Sequence, residues 1–295
     1  MPTELPPSPP YPATSASGAW AYERILGFGD TGTGKTSAFL QIAEFHQRHG
    51  SDAIFYVLDT DNTMEAMVTR GRYAELTNLN ITQLTCWDDY VPSIERLRKK
   101  VRPHDWCSID LVSKAWSEVQ DQYVVEIWGD LEDYWVNARK QGDLADGTPM
   151  DGWTDWQVIN RMYRQFSNAV HRMQCHVYAT AEQKELMKAS KSGKGGEKAD
   201  IQETYGRFGV KPEGQKQLGH MFHTILLFKR SGRGQHIVNT VKDRERSELT
   251  AEEWDDFAAT YLEGVAGWRG SDGSSETVKA TGTPSPKKKP LRRTS

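Results

Sequence analysis

The segment Gly-Asp-Thr-Gly-Thr-Gly-Lys-Thr at residues 29–36, called the phosphate loop below, constrains the fold of this chain more than any other feature. It matches the pattern G-x-x-x-x-G-K-[ST], with Gly29, Gly34, Lys35 and Thr36 at the fixed positions. A strand-like apolar run precedes the loop, and apolar residues at helical spacing follow it. A strand, a glycine-rich loop and a helix in this order predict a site for nucleotide phosphates in an α/β fold.

The chemistry expected of the loop follows from its residue types. Its glycines allow the backbone to curl, so that successive N–H groups point at phosphate oxygens. Lys35 is predicted to place its charge on the β- and γ-phosphates, and the Thr36 hydroxyl to bind Mg²⁺. ATP and Mg²⁺ are therefore the predicted cofactors. The residues predicted to contact them are Gly29, Asp30, Thr31, Gly32, Thr33, Gly34, Lys35 and Thr36.

Apolar runs alternate with helical stretches along the middle of the chain, which predicts a mostly parallel sheet covered by helices on both faces. Residues 184–213 are predicted to form a long Gly- and Lys-rich loop, and a late β-hairpin follows it. The predicted strands span residues 21–28, 53–60, 81–87, 105–112 and 176–180, with the hairpin at 223–230 and 236–241. The predicted helices span residues 35–49, 64–76, 93–101, 113–140 and 156–173.

Composition divides the chain into a packed middle and two polar ends. The first twelve residues contain six of the thirteen prolines, and the end of the chain is rich in Gly, Ser, Thr, Pro and basic residues. Such segments bury too little apolar surface to fold by themselves. We therefore predict a disordered arm over residues 1–18, one ATPase domain over 19–265 and a disordered basic tail over 266–295.

Charge and cysteine content exclude several classes of protein. The chain has 37 Lys and Arg against 40 Asp and Glu, so its overall charge does not favour a polyanion. Its three cysteines have neither zinc-ligand spacing nor the even number of a disulfide framework. There is no signal peptide and no apolar run long enough to span a membrane. A soluble cytoplasmic protein without a membrane partner is expected.

A Mg²⁺-dependent site also needs a carboxylate, and two predicted strands end in one, at Asp59 and at Asp110. With Asp59 in this role, the chain would be typical of a small-molecule kinase. With Asp110, a further strand would intervene, as in the additional-strand ATPases. The distance along the chain from Lys35 to Asp110 favours the second alternative, so Asp110 is predicted as the Mg²⁺ ligand.

The order of these features resembles the RecA ATPase core over residues 19–245, in particular the RecA-like recombination ATPases of bacteriophages. In that family a Glu after the second strand activates the attacking water. Asp61 stands at this position, one methylene shorter, and Asp59 is the alternative base. The resemblance also implies a polar residue that contacts the γ-phosphate after a later strand, and Gln183, with Thr180, is expected in this role.

The resemblance further implies contacts with DNA and with a neighbouring subunit. Single-stranded DNA is expected at the segment after Gln183, with Tyr205 and Phe208 stacking on bases. The side chains predicted to contact its phosphates are Lys188, Lys191, Lys194 and Arg207. A basic residue after the last strand is expected to reach the next subunit's nucleotide, and the candidates are Lys242, Arg244 and Arg246.

The function these expectations describe is an ATP-hydrolysing, RecA-like protein that acts on single-stranded DNA in phage recombination or replication. A homo-oligomeric ring or filament and a single-strand-binding or replication partner in a bacterial host cell are expected with it. Two alternatives stay open. One is an ATP-switched loader or assembly protein for a helicase or terminase, and the other is a small-molecule kinase.

Overall fold

The structure is a computed structural model, and it describes residues 22–129, 154–187, 199–243, 246 and 248–268. The strands are β1 Arg24–Gly29, β2 Phe55–Asp59, β3 Leu79–Gln83, β4 Trp106–Asp110, β5 His176–Glu185, β6 Val210–Pro212, β7 Thr224–Arg230, β8 His236–Lys242 and β9 Glu252–Trp254. The α-helices are α1 Lys35–Arg48, α2 Thr63–Arg70, α3 Trp87–Arg98, α4 Val112–Trp128, α5 Thr154–His171 and α6 Ala199–Tyr205. A 3₁₀ turn spans Leu218–Met221 and a π-helical turn spans Ala258–Glu263.

The strands form one sheet in the order β3-β2-β4-β5-β1-β7-β8-β9, with β6 paired to the end of β5. All pairs from β3 to β7 along this order are parallel, whereas the pairs β7–β8 and β8–β9 are antiparallel. Strand β5 lies between β1, which leads into the phosphate loop, and β4, which ends at Asp110. The predicted α/β class, the intervening strand and the late hairpin are confirmed.

Alternating side chains along the strands build a core on each face of the sheet. On one face, Val177 and Ala179 of β5 join a cluster packed by α3, α4 and α5. On the other face, Tyr178 of β5 joins a cluster packed by α1 and the π-helical turn. Because parallel strands are covered on both sides, β2 and β4 are buried almost completely, as their continuous apolar sequences predict.

Two predicted boundaries are wrong for identifiable physical reasons. Helix α3 begins at Trp87 rather than Ser93, because Cys86 and Asp89 form a reciprocal capping box at its start. Residues 184–213 are not one continuous loop. Strand β5 continues to Glu185 and pairs with β6, and α6 lies between them. The short strand β9 and the π-helical turn were not predicted.

The predicted arm at residues 1–18, the segment 130–153 and residues 269–295 of the tail lie outside the described residues. The three domain boundaries therefore stay predictions. No helix among the residues that the structure describes is long and apolar enough to cross a membrane.

Candidate nucleotide site

The phosphate loop connects the end of β1 to the start of α1 at the carboxyl edge of the sheet. Gly34 has a φ of 97°, in the left-handed region that favours glycine. A Cβ atom at this position would lie 2.9 Å from His236 Nδ1 and 3.0 Å from the Trp254 ring. The loop is therefore packed closely against β8 and β9, and residue 34 must be glycine for both reasons.

The start of α1 offers backbone donors to an anion. Its first helical hydrogen bond runs from the Ala38 N–H to the Gly34 carbonyl, at 2.8 Å. The N–H groups of Lys35, Thr36 and Ser37 precede this bond, so the helix supplies no acceptor for them. Together with the helix dipole, these groups make the start of α1 suitable for phosphate oxygens.

The remaining loop residues hold the loop in its curled shape. The Thr33 hydroxyl donates to the Asp30 carbonyl at 2.7 Å, and the Asp30 carboxylate accepts the Thr31 N–H at 2.8 Å. The side chains of Asp30 and Thr31 are exposed, as is Gly32. These contacts bring all eight predicted residues into one turn, which is the arrangement that the sequence motif requires.

The Lys35 ammonium lies under the loop, where it donates to the carbonyls of Gly29 and Asp30 at 2.9 Å each. Burial lowers the pKa of Lys35, and the negative charges of Asp110 and Glu182 are the leading opposing influences. The ammonium therefore has backbone carbonyls and nearby carboxylates as partners, and a bound phosphate would add a charge-assisted hydrogen bond at the mouth of the loop.

Asp110, at the end of β4, joins the loop to the neighbouring strand. The Thr36 hydroxyl donates to Asp110 Oδ2 at 2.8 Å, and the Thr180 hydroxyl of β5 donates to Asp110 Oδ1. Burial raises the pKa of Asp110 to about 6, although these two hydrogen bonds lower it. The carboxylate is therefore positioned before any ligand arrives and is costly to keep charged without a nearby cation.

A hydroxyl and a carboxylate in direct contact are the ligand types that Mg²⁺ accepts. Thr36 and Asp110 therefore fit this ion, which when bound would neutralise phosphate charge. Asp59, the other strand-end carboxylate, lies in a different environment. Its oxygens accept the backbone N–H groups of Asp61 and Glu65 at 3.3 Å and 3.4 Å, so Asp59 stabilises the turn that follows β2.

The turn after β2 carries Asp61 and is attached to β4 through Thr60. The Thr60 N–H donates to the Asp110 carbonyl at 2.7 Å, and the Thr60 hydroxyl accepts the Leu111 N–H at 2.8 Å. The side chain of Asp61 is exposed, and its charge influences the pKa values of both Lys35 and Asp110. Asp61 is thus close enough to act electrostatically on the site while remaining accessible to water.

Residues 21–247 match the family profile described as an AAA domain. The chain belongs to this family. No curated protein matches the chain. Among solved structures, the chain is similar to the crystal structure of the RadB recombinase, with a TM-score of 0.43, 13% identity, and coverage of 77% of this chain and 84% of that one.

In this AAA domain, sequence reasoning missed Glu182. Tyr178 and Thr180 of β5 point toward α1 and Asp110, whereas Ala179 and Ala181 join the opposite core. The period of two places Glu182 on the side of Thr180, and Glu182 pairs in register with Gly29 of the phosphate loop. Gln183 lies on the other face of the strand and pairs in register with Pro212 of β6. Counting alternate residues back from Glu182 to the apolar strand would have revealed this.

The predicted DNA contacts are only partly described. Lys188, Lys191 and Lys194 lie outside the described residues. Arg207 stacks on Phe208 at 4.6 Å and donates to the Thr240 carbonyl at 2.8 Å, with more than half of its side chain exposed. Phe208 is partly buried. Tyr205 is buried and packs edge-on against Phe28, so the prediction that it stacks on bases is wrong.

The candidates for contact with a neighbouring subunit are held within their own chain where they are described. Lys242 donates to the carbonyls of Gly219 and Phe222. Arg246 is buried between Glu23 and Asp243, at 2.7 Å and 2.9 Å. Arg244 lies outside the described residues. The role proposed for Lys242 and Arg244 stays a prediction, whereas Arg246 stabilises the fold.

Proposed function

We propose that this AAA domain binds ATP with Mg²⁺, hydrolyses it, and uses the cycle to hold and release single-stranded DNA in phage recombination or replication. The observation that carries the proposal is the course of β5. This strand passes beside the phosphate loop at Glu182 and continues into its pairing with β6. The segment between β5 and β6 contains the lysines predicted to contact DNA.

The ends of the segment proposed to contact DNA are hydrogen-bonded to each other next to Glu182. The Glu182 carbonyl accepts the Glu213 N–H at 2.8 Å, and the Leu186 N–H donates to the Gly209 carbonyl at 3.0 Å. The base of the segment is therefore tied to the strand that borders the phosphates. A change in the position of Glu182 on ATP binding would move both ends of the segment.

In the proposed reaction, Lys35 and the backbone of the phosphate loop hold the phosphates. Asp110 and Thr36 would hold Mg²⁺, and Asp61 would accept a proton from the attacking water. Basic residues on the segment after β5 would contact DNA phosphates. Such binding weakens as salt concentration rises, because DNA binding releases counterions.

The test is ATP hydrolysis measured with and without single-stranded DNA, on the wild type and on Lys35→Ala. We expect DNA to change the turnover of the wild type and Lys35→Ala to be inactive under both conditions. Turnover that ignores DNA, together with no binding of labelled DNA, would refute the DNA part and leave the ATPase part standing.

A second measurement addresses the segment directly. Neutralising Lys188, Lys191 and Lys194 together should weaken DNA binding and flatten its dependence on salt. The matched control is neutralisation of Lys99 and Lys100, which lie at the end of α3. An unchanged salt slope in the triple variant would place the DNA contact elsewhere on the protein.

A further inference from the structure

A cavity of about 540 Å³ lies against the outer side of α5, away from the residues of the proposed ATP cycle. Its volume falls in the range of ligand-binding clefts. The side chains that line it are Gln157, Val158, Asn160, Arg161 and Arg164. Because they are spaced three and four residues apart, they lie on adjoining turns of one side of the helix. These five residues form one continuous surface, called the α5 face below.

Two arginines give the α5 face its charge. Arg161 and Arg164 are exposed and three residues apart, so their Cβ atoms are about 5–6 Å from each other. Neither has a carboxylate partner in the part of the chain that the structure describes. Asp155, the acidic residue of α5, accepts a hydrogen bond from the Tyr123 hydroxyl instead. Two planar guanidinium groups are therefore available to bind carboxylates, each through two parallel hydrogen bonds.

Apolar and amide groups flank these arginines. Val158 is 41% exposed, and the neighbouring Trp156 is 38% exposed with its ring stacked on Trp116 at 6.0 Å. The Gln157 amide is exposed and makes no hydrogen bond to the described residues. An amide offers both a donor and an acceptor, as a peptide bond does. The α5 face can therefore cover an apolar side chain and pair with a peptide backbone next to two cations.

The α5 face borders the segment that follows β5. Asn160 Oδ1 accepts a hydrogen bond from the Gln215 amide at 3.3 Å, and Gln215 lies two residues after Glu213. The Glu213 N–H donates to the Glu182 carbonyl at the base of that segment. A molecule bound on the α5 face would therefore lie beside the segment proposed to contact DNA.

We propose that the α5 face docks an acidic peptide of a partner protein, in which carboxylates alternate with bulky apolar side chains. The carboxylates pair with Arg161 and Arg164, an apolar side chain covers Val158, and the Gln157 amide binds the peptide backbone. A nucleic acid matches this face less well, because its affinity comes from many phosphate contacts along a row of cations. The α5 face has two cations, and phosphates offer no donor to the Gln157 carbonyl.

The experiment measures binding of a fluorescein-labelled synthetic peptide, Asp-Asp-Leu-Asp-Asp-Phe, to the full-length protein by fluorescence anisotropy. The wild type should bind it at least about tenfold more tightly than the same peptide with Asn in place of each Asp. The double variant Arg161→Ala/Arg164→Ala should weaken binding by about tenfold or more, and Val158→Ser by about threefold. The double variant Arg161→Lys/Arg164→Lys should recover only part of the affinity, because lysine lacks the planar fork.

The matched control removes two exposed arginines outside the cavity, in the double variant Arg70→Ala/Arg172→Ala, and should bind the peptide as the wild type does. ATP hydrolysis without peptide should be the same in all these variants, which keeps this test separate from that of the ATP cycle. Equal affinities for the acidic and the Asn peptides would refute the proposal.

Two further measurements distinguish other occupants of the α5 face. If Arg161→Ala/Arg164→Ala loses binding of labelled oligothymidylate and keeps binding of the peptide, the face is a nucleic-acid site and the proposal is overturned. If sedimentation velocity shows that this variant has a different oligomeric state from the wild type, the face joins copies of the chain, which also overturns it. Unchanged sedimentation and unchanged oligothymidylate binding, together with lost peptide binding, support the acidic peptide.

Discussion

Buried ionisable groups lie at both ends of the central strands, but their surroundings differ. At the carboxyl end, Asp110 is held by two hydroxyl groups beside the phosphate loop. At the amino end, His176 stacks on Trp106 with centroids 4.7 Å apart, and Trp268 packs edge-on against it at 5.1 Å. His46 packs against the same tryptophans. The ionisable group at the carboxyl end is surrounded by polar side chains, whereas those at the amino end pack against aromatic rings.

Burial disfavours the charged form at both ends, with different consequences. It raises the pKa of Asp110 to about 6 and lowers the pKa values of His46 and His176 to about 3. A bound cation and phosphates can restore the charge of Asp110, because Thr36 and Lys35 lie beside it. The histidines are enclosed by apolar rings and stay neutral. The carboxyl end therefore has a carboxylate that a ligand can stabilise in its charged form, whereas the histidines at the amino end contribute to core packing.

The largest effect that would test this separation is expected from Lys35→Ala. Loss of the ammonium removes a charge-assisted contact with the phosphates, so nucleotide affinity should fall by about a hundredfold or more, and turnover should vanish. Isothermal titration with ATP and Mg²⁺ measures the affinity. Since Lys35 is far from the amino end, the pH-dependent stability contributed by His46 should be the same in the variant as in the wild type, and a changed contribution would argue that the two ends are coupled.

Asp110→Asn should lower turnover by about a thousandfold while making the ligand-free protein more stable. Because the folded state raises the pKa of Asp110, it holds this proton more tightly than the unfolded chain does between about pH 4 and pH 6. Stability contributed by the protonated group is therefore lost as pH rises through this window, and the deficit persists at pH 7.

Removing the charge should recover on the order of 1–3 kcal/mol of unfolding free energy at pH 7, measured by urea denaturation without nucleotide. Asparagine can still accept from Thr36 and pair with Thr180. Glu75→Gln, at an exposed carboxylate near the end of α1, serves as the control for removing a carboxylate. A less stable Asp110→Asn protein would contradict the interpretation of this end as strained by burial.

A smaller effect, about a hundredfold on turnover, is expected from Asp61→Asn. Its carboxylate is exposed beside the site, so its loss should remove the proposed base and spare ATP binding. Single-turnover hydrolysis at saturating ATP measures the step. Glu182→Gln and Gln183→Ala are the comparison pair, because β5 directs these neighbours to opposite faces. If Glu182→Gln loses turnover and Asp61→Asn keeps it, the base lies on β5.

The sequence predicted the carboxyl end better than the amino end, and the reason is physical. Phosphate binding requires particular residues at fixed spacing, so the loop, Thr36 and Asp110 could be identified from their positions along the chain. The distance along the chain from Lys35 to Asp110 predicted that a further strand intervenes, and in the structure this strand is β5. The spacing of such a motif determines the local backbone conformation, because its N–H groups must all point at the same phosphate oxygens.

Other features depend on contacts that no local pattern encodes. The alternation of side chains places Glu182 on the side of Thr180, but only the pairing with β1 shows that this side of the strand end lies beside the phosphate loop. Tyr73 and Trp254 line one cleft beside the start of α1, although they are far apart in sequence. His46 and His176 similarly come together only through the sheet. Gln183 was predicted from the family pattern, and the alternation of side chains places it on the face opposite Thr180.

The smallest expected effect concerns His46 at the amino end. Because its pKa is lowered in the folded state, the unfolded chain binds the proton more tightly between about pH 3 and pH 6.5. Stability is then complete above pH 6.5 and is lost as pH falls. His46→Phe keeps a ring against Phe55 and Trp106 and removes the titration. The drop in unfolding free energy from pH 7 to pH 5 should shrink by roughly 1–2 kcal/mol.

This measurement is sharpest in the Asp110→Asn background, because Asp110 contributes the opposite slope over part of the same pH range. Urea denaturation at pH 7 and pH 5 of the single and double variants isolates the contribution of His46. If the two slopes add independently, the ends of the sheet titrate as separate units, as their separation predicts. If His46→Phe leaves the change in unfolding free energy between pH 7 and pH 5 unaltered, then this histidine is protonated at pH 5 in the folded protein. The amino end would then hold a buried charge, as the nucleotide end does at Asp110.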